Sequence, residues 1–109
     1  MKLLIGYIRP EALNSVKEKL YADSIFAMSV TNVLGAGQQK GYTELYRGVQ
    51  TEVNLLKKLR IEICLPDEKV DAAMDAITAG ARTEKEGDGV IFVLDVSEGR
   101  RIRTGEPLA

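Results

Sequence analysis

Histidine is missing from this sequence of 109 residues, and Cys64 is its only cysteine. A zinc centre draws its ligands mainly from these two residue types, so the chain lacks a zinc donor set. A disulfide within the chain is excluded. With no histidine to activate it, Cys64 reads as a small packed residue and not as a nucleophile. An excess of charge is lacking too. Fifteen Lys and Arg stand against 16 Asp and Glu, a formal net charge of −1, which gives no global pull toward nucleic acid or anionic lipid. No apolar run approaches the roughly 20 residues that cross a bilayer. The opening "MKLLIGYIRP" is too short an apolar run for a secretion signal and is ended by Arg9 and Pro10. A reducing cytoplasm is the expected location. There is no Walker loop, dinucleotide fingerprint, nucleophile elbow, internal repeat or low-complexity linker.

What is present is an ordinary globular composition, 45% apolar and 28% charged, in a length that suits one domain over residues 1–109. So small a core favours oligomerisation. "KLLIGYIR" (2–9) is apolar on both parities and predicts a buried strand. Pro10 suits a first helical position, and Leu13, Val16 and Leu20 recur at helical spacing, which predicts a helix over 10–22. The β-branched stretch 25–35 predicts a second strand. "KLRIEICLP" (58–66) alternates cleanly. Leu59, Ile61, Ile63 and Leu65 share one face, and Lys58, Arg60, Glu62 and Cys64 share the other. Asp67 is placed to cap a second helix with its stripe at Val70, Ala73, Met74 and Ile77 and with Gly80 near its end. Its acids Asp67, Glu68, Asp71 and Asp75 form a solvated face. "VIFVLDV" (90–96) predicts the last strand. The order is that of an α+β, ferredoxin-like βαββαβ domain, with one sheet, two helices on one face, and a long loop between its second and third strands.

That loop, 35–57, is polar and glycine-bearing and far longer than the usual connection of about 4–6 residues. Gly35, Gly37 and Gly41 around Gln38, Gln39 and Lys40 let backbone amides approach a ligand and form an anion-binding nest. A second such segment runs over 82–89, with Arg82, Thr83, Gly87, Asp88 and Gly89. The tail 97–109 carries Arg101 and Arg103, which an extended backbone would place on one side as a phosphate grip. Each segment by itself also fits a bland loop or a solvated tail. Lys58 and Glu62 equally fit a wet sheet face or a subunit interface.

In order along the chain, "IRPEAL" (8–13), "GAGQQKGYTELYRG" (35–48), "TEKEGDGVIFV" (83–93) and "RRIRTGE" (100–106) resemble the PII-type nitrogen-regulatory signalling proteins, over essentially the whole length. The resemblance implies a homotrimeric adaptor, not an enzyme, with ATP or ADP in clefts between subunits. It implies 2-oxoglutarate joining through a magnesium ion when ATP is present. The long loop becomes the output device. Through residues 36–54 it engages an ammonium-transporter-like target or a metabolic enzyme. No nucleic acid is implied, and a membrane is met only through such a transporter. By position in the motifs, Gly35, Gly37, Gln38, Glu62, Cys64, Arg82, Thr83, Gly87, Asp88, Gly89, Arg101 and Arg103 fall to the nucleotide. Gln39, Lys40, Gly41 and Lys58 fall to the effector, with Gln39 as a magnesium ligand and Lys58 pairing with a 2-oxoglutarate carboxylate.

Three positions depart from the family's pattern. Gln38 and Val90 stand where basic residues are usual, and Thr51 stands where a modifiable tyrosine is common. Two cations fewer at a phosphate site leave ATP, ADP and AMP all open as the preferred ligand, and open a divergent sensor with a different input acting outside nitrogen assimilation. Two rivals carry less. An enzyme on this fold lacks histidine and paired acids. An RNA-binding module would display aromatics on its middle strands, where this chain has Lys58, Arg60, Glu62 and Cys64.

Overall fold

The computed structural model describes residues 1–35, 43–46, 49–52 and 55–108, with side chains described for 1–35 and 55–108. Strand β1 (Lys2–Ile8) leads through a 3-10 turn at Pro10–Ala12 into helix α1 (Leu13–Ala22). The predicted helix over 10–22 is thus a proline-started 3-10 turn followed by α-helix. Strand β2 spans Ser29–Gly35, not 25–35. Residues 25–28 serve the helix end instead. Ser24 has a left-handed φ of 60°, its amide donates to the Tyr21 carbonyl at 3.0 Å, and the Ile25 amide donates to the Leu20 carbonyl at 3.0 Å. This is the Schellman closure, with its hydrophobic contact supplied by buried Leu20 and Ile25.

The predicted loop 35–57 contains a two-stranded antiparallel ladder, β3 (Thr43–Tyr46) with β4 (Val49–Glu52), in register Thr43 to Glu52 and Tyr46 to Val49. Strand β5 (Leu56–Leu65) begins two residues earlier than expected. A 3-10 turn at Asp67–Lys69 precedes α2 (Val70–Ala81). Asp67 does not cap it. Its carboxylate instead takes a 2.7 Å hydrogen bond from the Met1 ammonium, which pulls its pKa below the ordinary carboxylate value. Strand β6 (Gly89–Asp95) completes a four-stranded sheet in the order β2–β5–β1–β6, antiparallel throughout. That is the ferredoxin-like arrangement, as predicted.

The alternation of β5 decides where the core sits. Leu59, Ile61, Ile63 and Leu65 are buried with Leu4, Ile8, Val16, Leu20 and Ile77 between sheet and helices. The helices touch at Gly80, where an added Cβ would lie 2.7 Å from the Val16 Cα. On the other sheet face, Lys58, Arg60 and Glu62 are half-buried and Cys64 is exposed. Register aligns Leu3 with Leu94, Ile5 with Phe92 and Tyr7 with Val90 on that same side. Phe92 is 53% exposed, and Val90 and Leu94 are 46% exposed. The acids Asp67, Glu68, Asp71 and Asp75 lie on the solvent side, as predicted.

Candidate functional site

The 82–89 loop leaves the end of α2 and enters β6, and it is tied at both ends. At its exit, Gly89 pairs with Ile8 across the β1–β6 ladder. Only glycine fits there, because its φ is +124° and an added Cβ would lie 1.8 Å from the Tyr7 carbonyl oxygen. Within the loop, Glu84 also has a left-handed φ, 64°, and Gly87 one of 91°. Asp88 closes the turn. Its carboxylate accepts hydrogen bonds from the Thr83 hydroxyl, from the Thr83 amide at 2.7 Å and from the Glu84 amide at 2.9 Å. These contacts, the hydroxyl first and then the Thr83 amide, hold the Asp88 pKa below its ordinary value. Asp88 and Thr83 are thereby committed to shaping the loop.

Two cations reach this loop from other elements. Lys58, on β5, donates to the Gly87 carbonyl at 2.5 Å. Arg9, at the end of β1, donates from Nη2 to the Glu86 carbonyl at 2.5 Å. Its Nε also lies 3.5 Å from Asp88 Oδ1, a charge contact without an aligned hydrogen bond. Sequence reasoning passed over Arg9. Its only signal was its place inside "IRPEAL", between the first strand and Pro10.

The predicted set is therefore partly assembled. Arg82, Thr83, Gly87, Asp88 and Gly89 form one loop, and Lys58 touches it. Glu62 and Cys64 lie further along β5, four and six positions from Lys58, about 13 and 20 Å at strand rise. Glu62 is engaged by Arg60, whose Nε lies 2.9 Å from Glu62 Oε1, off the hydrogen-bond direction. Arg60 also sits over the Tyr7 ring at 5.9 Å. Gly35 ends β2 opposite Leu56. Gly37, Gln38, Gln39, Lys40 and Gly41 lie outside the described residues. Among the described residues no three His, Cys, Asp or Glu side chains come together as a metal site.

The arginines of the tail differ from expectation. They are not on an extended strand. Arg100 bridges to Pro107, the Arg101 amide donates to the Glu106 carbonyl at 2.8 Å, and the Gly105 amide donates to the Arg101 carbonyl at 2.8 Å. Residues 102–104 form the turn between them. Gly105, with φ +72°, is what lets the chain fold back so tightly. The tail leaves the sheet at Asp95, which is paired with Lys2, while the 82–89 loop meets the sheet at Gly89, paired with Ile8. The length of β6, about 20 Å at strand rise, separates those two ends within one chain.

The four-stranded antiparallel sheet with two helices, the acid-closed 82–89 loop at one sheet end and the tail leaving at the other define a ferredoxin-like α+β domain. The family profile described as "Nitrogen regulatory protein P-II" matches residues 1–106. A relative named "Nitrogen regulatory protein P-II" from Rhodobacter capsulatus is 52% identical over 106 residues, covering 97% of this chain and 95% of the relative. One from Cereibacter sphaeroides is 49% identical over the same share of each chain. "Nitrogen regulatory protein P-II 1" of Escherichia coli is 50% identical, again over 97% and 95%. The chain belongs to the P-II nitrogen regulatory protein family. No helix among the described residues is long and apolar enough to cross a membrane.

Proposed function

We propose that this chain is a cytoplasmic homotrimeric signalling adaptor that senses an adenine nucleotide and regulates target proteins through residues 36–54. The observation that carries it is the 82–89 loop, a turn closed by Asp88, with left-handed glycines at 87 and 89 and with Lys58 fixed beside it. Such a loop suits phosphate. The tail that carries the arginines which would neutralise that phosphate leaves the sheet at the far end of β6 in the same chain. A neighbouring copy supplies them, so the site is complete only in the assembly. The apolar outer sheet face, with Val90, Phe92 and Leu94 about half exposed, is the surface on which copies would associate.

The nucleotide is ATP or ADP. Gln39 would ligate magnesium and Lys58 would pair with 2-oxoglutarate, for which Lys58 must exchange the Gly87 carbonyl for a carboxylate. Binding acts by population shift. Ligand at the loop base favours one arrangement of residues 36–54, and a transporter of the ammonium-transporter kind or a metabolic enzyme takes that arrangement better. The protein makes no bond and breaks none.

One observation favours a second reading, a sensor tuned to ADP or AMP. Val90, directly after the loop, presents an aliphatic side chain, 46% exposed, opposite Tyr7. A cation there would strengthen the hold on a triphosphate, and this chain has none. Titration calorimetry with ATP, ADP and AMP, each with and without magnesium and 2-oxoglutarate, tests both. Saturable heat from an adenine nucleotide supports the sensor, and its order among the three decides between the readings. No heat from any nucleotide at millimolar concentration would overturn both.

A further inference from the structure

We propose that Lys58 is a latch on the 82–89 loop. In the ligand-free chain its ammonium holds the Gly87 carbonyl, and a carboxylate that takes the ammonium frees that one peptide while Arg9 keeps its neighbour in place. The inference rests on the sensor argued above and names how its two ligand segments communicate.

The half-buried cations among the described residues are Lys2, Arg9, Lys17, Lys58 and Arg60. Lys2 has Asp95, Arg9 has Asp88 and Arg60 has Glu62. Lys17 lies over the Tyr21 ring. Lys58 has neither a carboxylate nor a ring, and its ammonium is answered only by the neutral Gly87 carbonyl at 2.5 Å. Lysines are rarely drawn in without a partner charge. The contact is open to exchange, because a carboxylate adds Coulomb attraction that a carbonyl lacks. Arg9 differs. It donates to the Glu86 carbonyl at 2.5 Å, and its Nε stands 3.5 Å from Asp88 Oδ1. An incoming carboxylate therefore meets a cation that already has its acid, and Asp88 is itself held by Thr83 and Glu84. Two successive carbonyls are thus held in unlike ways, residue 86 by a paired cation and residue 87 by an unpaired one. Residue 87 is also where the backbone can respond. It is a glycine at φ 91°, and glycine accepts wide changes of φ and ψ, so its carbonyl can turn once released. Lys58 is on β5 and the loop runs into β6, with β1 between them. The bond therefore links two ligand segments that share no ladder.

Carbonyl-carbon NMR reads the two neighbours separately, since a carbonyl that loses a hydrogen bond moves upfield. In the ligand-free chain, Lys58→Met is expected to move Gly87 upfield and Arg9→Met to move Glu86. Lys57→Met, at the exposed neighbouring position, is expected to move neither. An unmoved Gly87 in Lys58→Met would overturn the latch. Release is read by titrating 2-oxoglutarate into the unaltered chain saturated with magnesium and ATP. Gly87 is expected to move upfield with occupancy, toward its position in Lys58→Met, with Glu86 unmoved. Saturation with Gly87 unmoved, or with 86 and 87 moving together, would overturn the release. A chain that takes ATP but no 2-oxoglutarate would overturn the release and leave the nucleotide sensor standing. If it takes no nucleotide, the sensor fails on calorimetry, and the variants of the ligand-free chain decide on the latch.

Discussion

Asp88 shows how one side chain can shape a whole loop. Three donors converge on its carboxylate, and Arg9 lies alongside. Because its folded pKa is depressed below 3.8, the support it gives is fully present above that pH. That support is lost as the pH falls through the lower folded value. The amide resonances of Thr83 and Glu84 should therefore titrate together below pH 3.8. A flat response, or a midpoint above that value, would contradict the assignment. Asp88→Asn should speed amide exchange at Thr83 and Glu84 at neutral pH, because one acceptor and the charge are both lost. Val90 makes the complementary case. Val90→Lys should strengthen ATP more than AMP, by roughly 1.5–3 kcal/mol for the added charged contact. Calorimetry showing equal gains for both would place position 90 away from the phosphates. Arg9 was hidden from sequence reasoning because an arginine after a strand has many innocuous uses. Only the antiparallel pairing of β1 with β6 brings it beside residues 86 and 88.

At the scale of elements, patterning was legible wherever one face meets a core. The strict alternation of β5 placed its buried and polar faces correctly, and the stripes of α1 and α2 named Val16, Leu20, Val70, Ala73 and Ile77 among the buried residues, while Leu13 and Met74 are only partly buried and the small Ala76 and Ala81 went unnamed. Legibility failed where backbone geometry outranks pattern. Residues 25–28 look strand-like by β-branching and aromatic content, yet Ile25 is claimed by the closure of α1 through its bond to Leu20. The β3–β4 ladder carries polar residues on both parities, so no period of two in hydrophobicity announces it. The tail looked extended because arginine and isoleucine alternate, but Gly105 permits the turn that folds it. Helix packing yields a sharp test at Gly80. Alanine is a better helix former than glycine by about 1 kcal/mol. Here, however, its Cβ would fall 2.7 Å from the Val16 Cα and 2.8 Å from the Val16 amide nitrogen, both backbone atoms that cannot swing aside. Gly80→Ala should destabilise the fold by about 1–3 kcal/mol, the scale of overpacking. The urea midpoint reads this, and a stabilised variant would mean that α1 and α2 part freely.

The whole molecule is organised around a separation. One chain joins its acid-closed 82–89 loop to one end of the sheet, and the tail that carries the basic 101–105 turn leaves from the other. The sequence named both segments as ligand-binding candidates, but it could not show that they join the sheet at opposite ends, since distance along β6 is a property of the fold. Association through the outer sheet face is the step that would bring the two together, and a monomer by light scattering at micromolar concentration would remove the basis for a shared site. The most direct test uses subunit mixing. Arg103→Ala impairs the turn and leaves the loop sound, while Asp88→Asn impairs the loop and leaves the turn sound. Each variant alone should bind ADP weakly. Unfolded together and refolded as mixed assemblies, they should regain sites of native ADP affinity in a fraction of the chains, wherever a sound loop meets a neighbour's sound turn. Mixed assemblies in which every site stays weak would show that loop and turn serve the same chain, and would contradict a site built between copies.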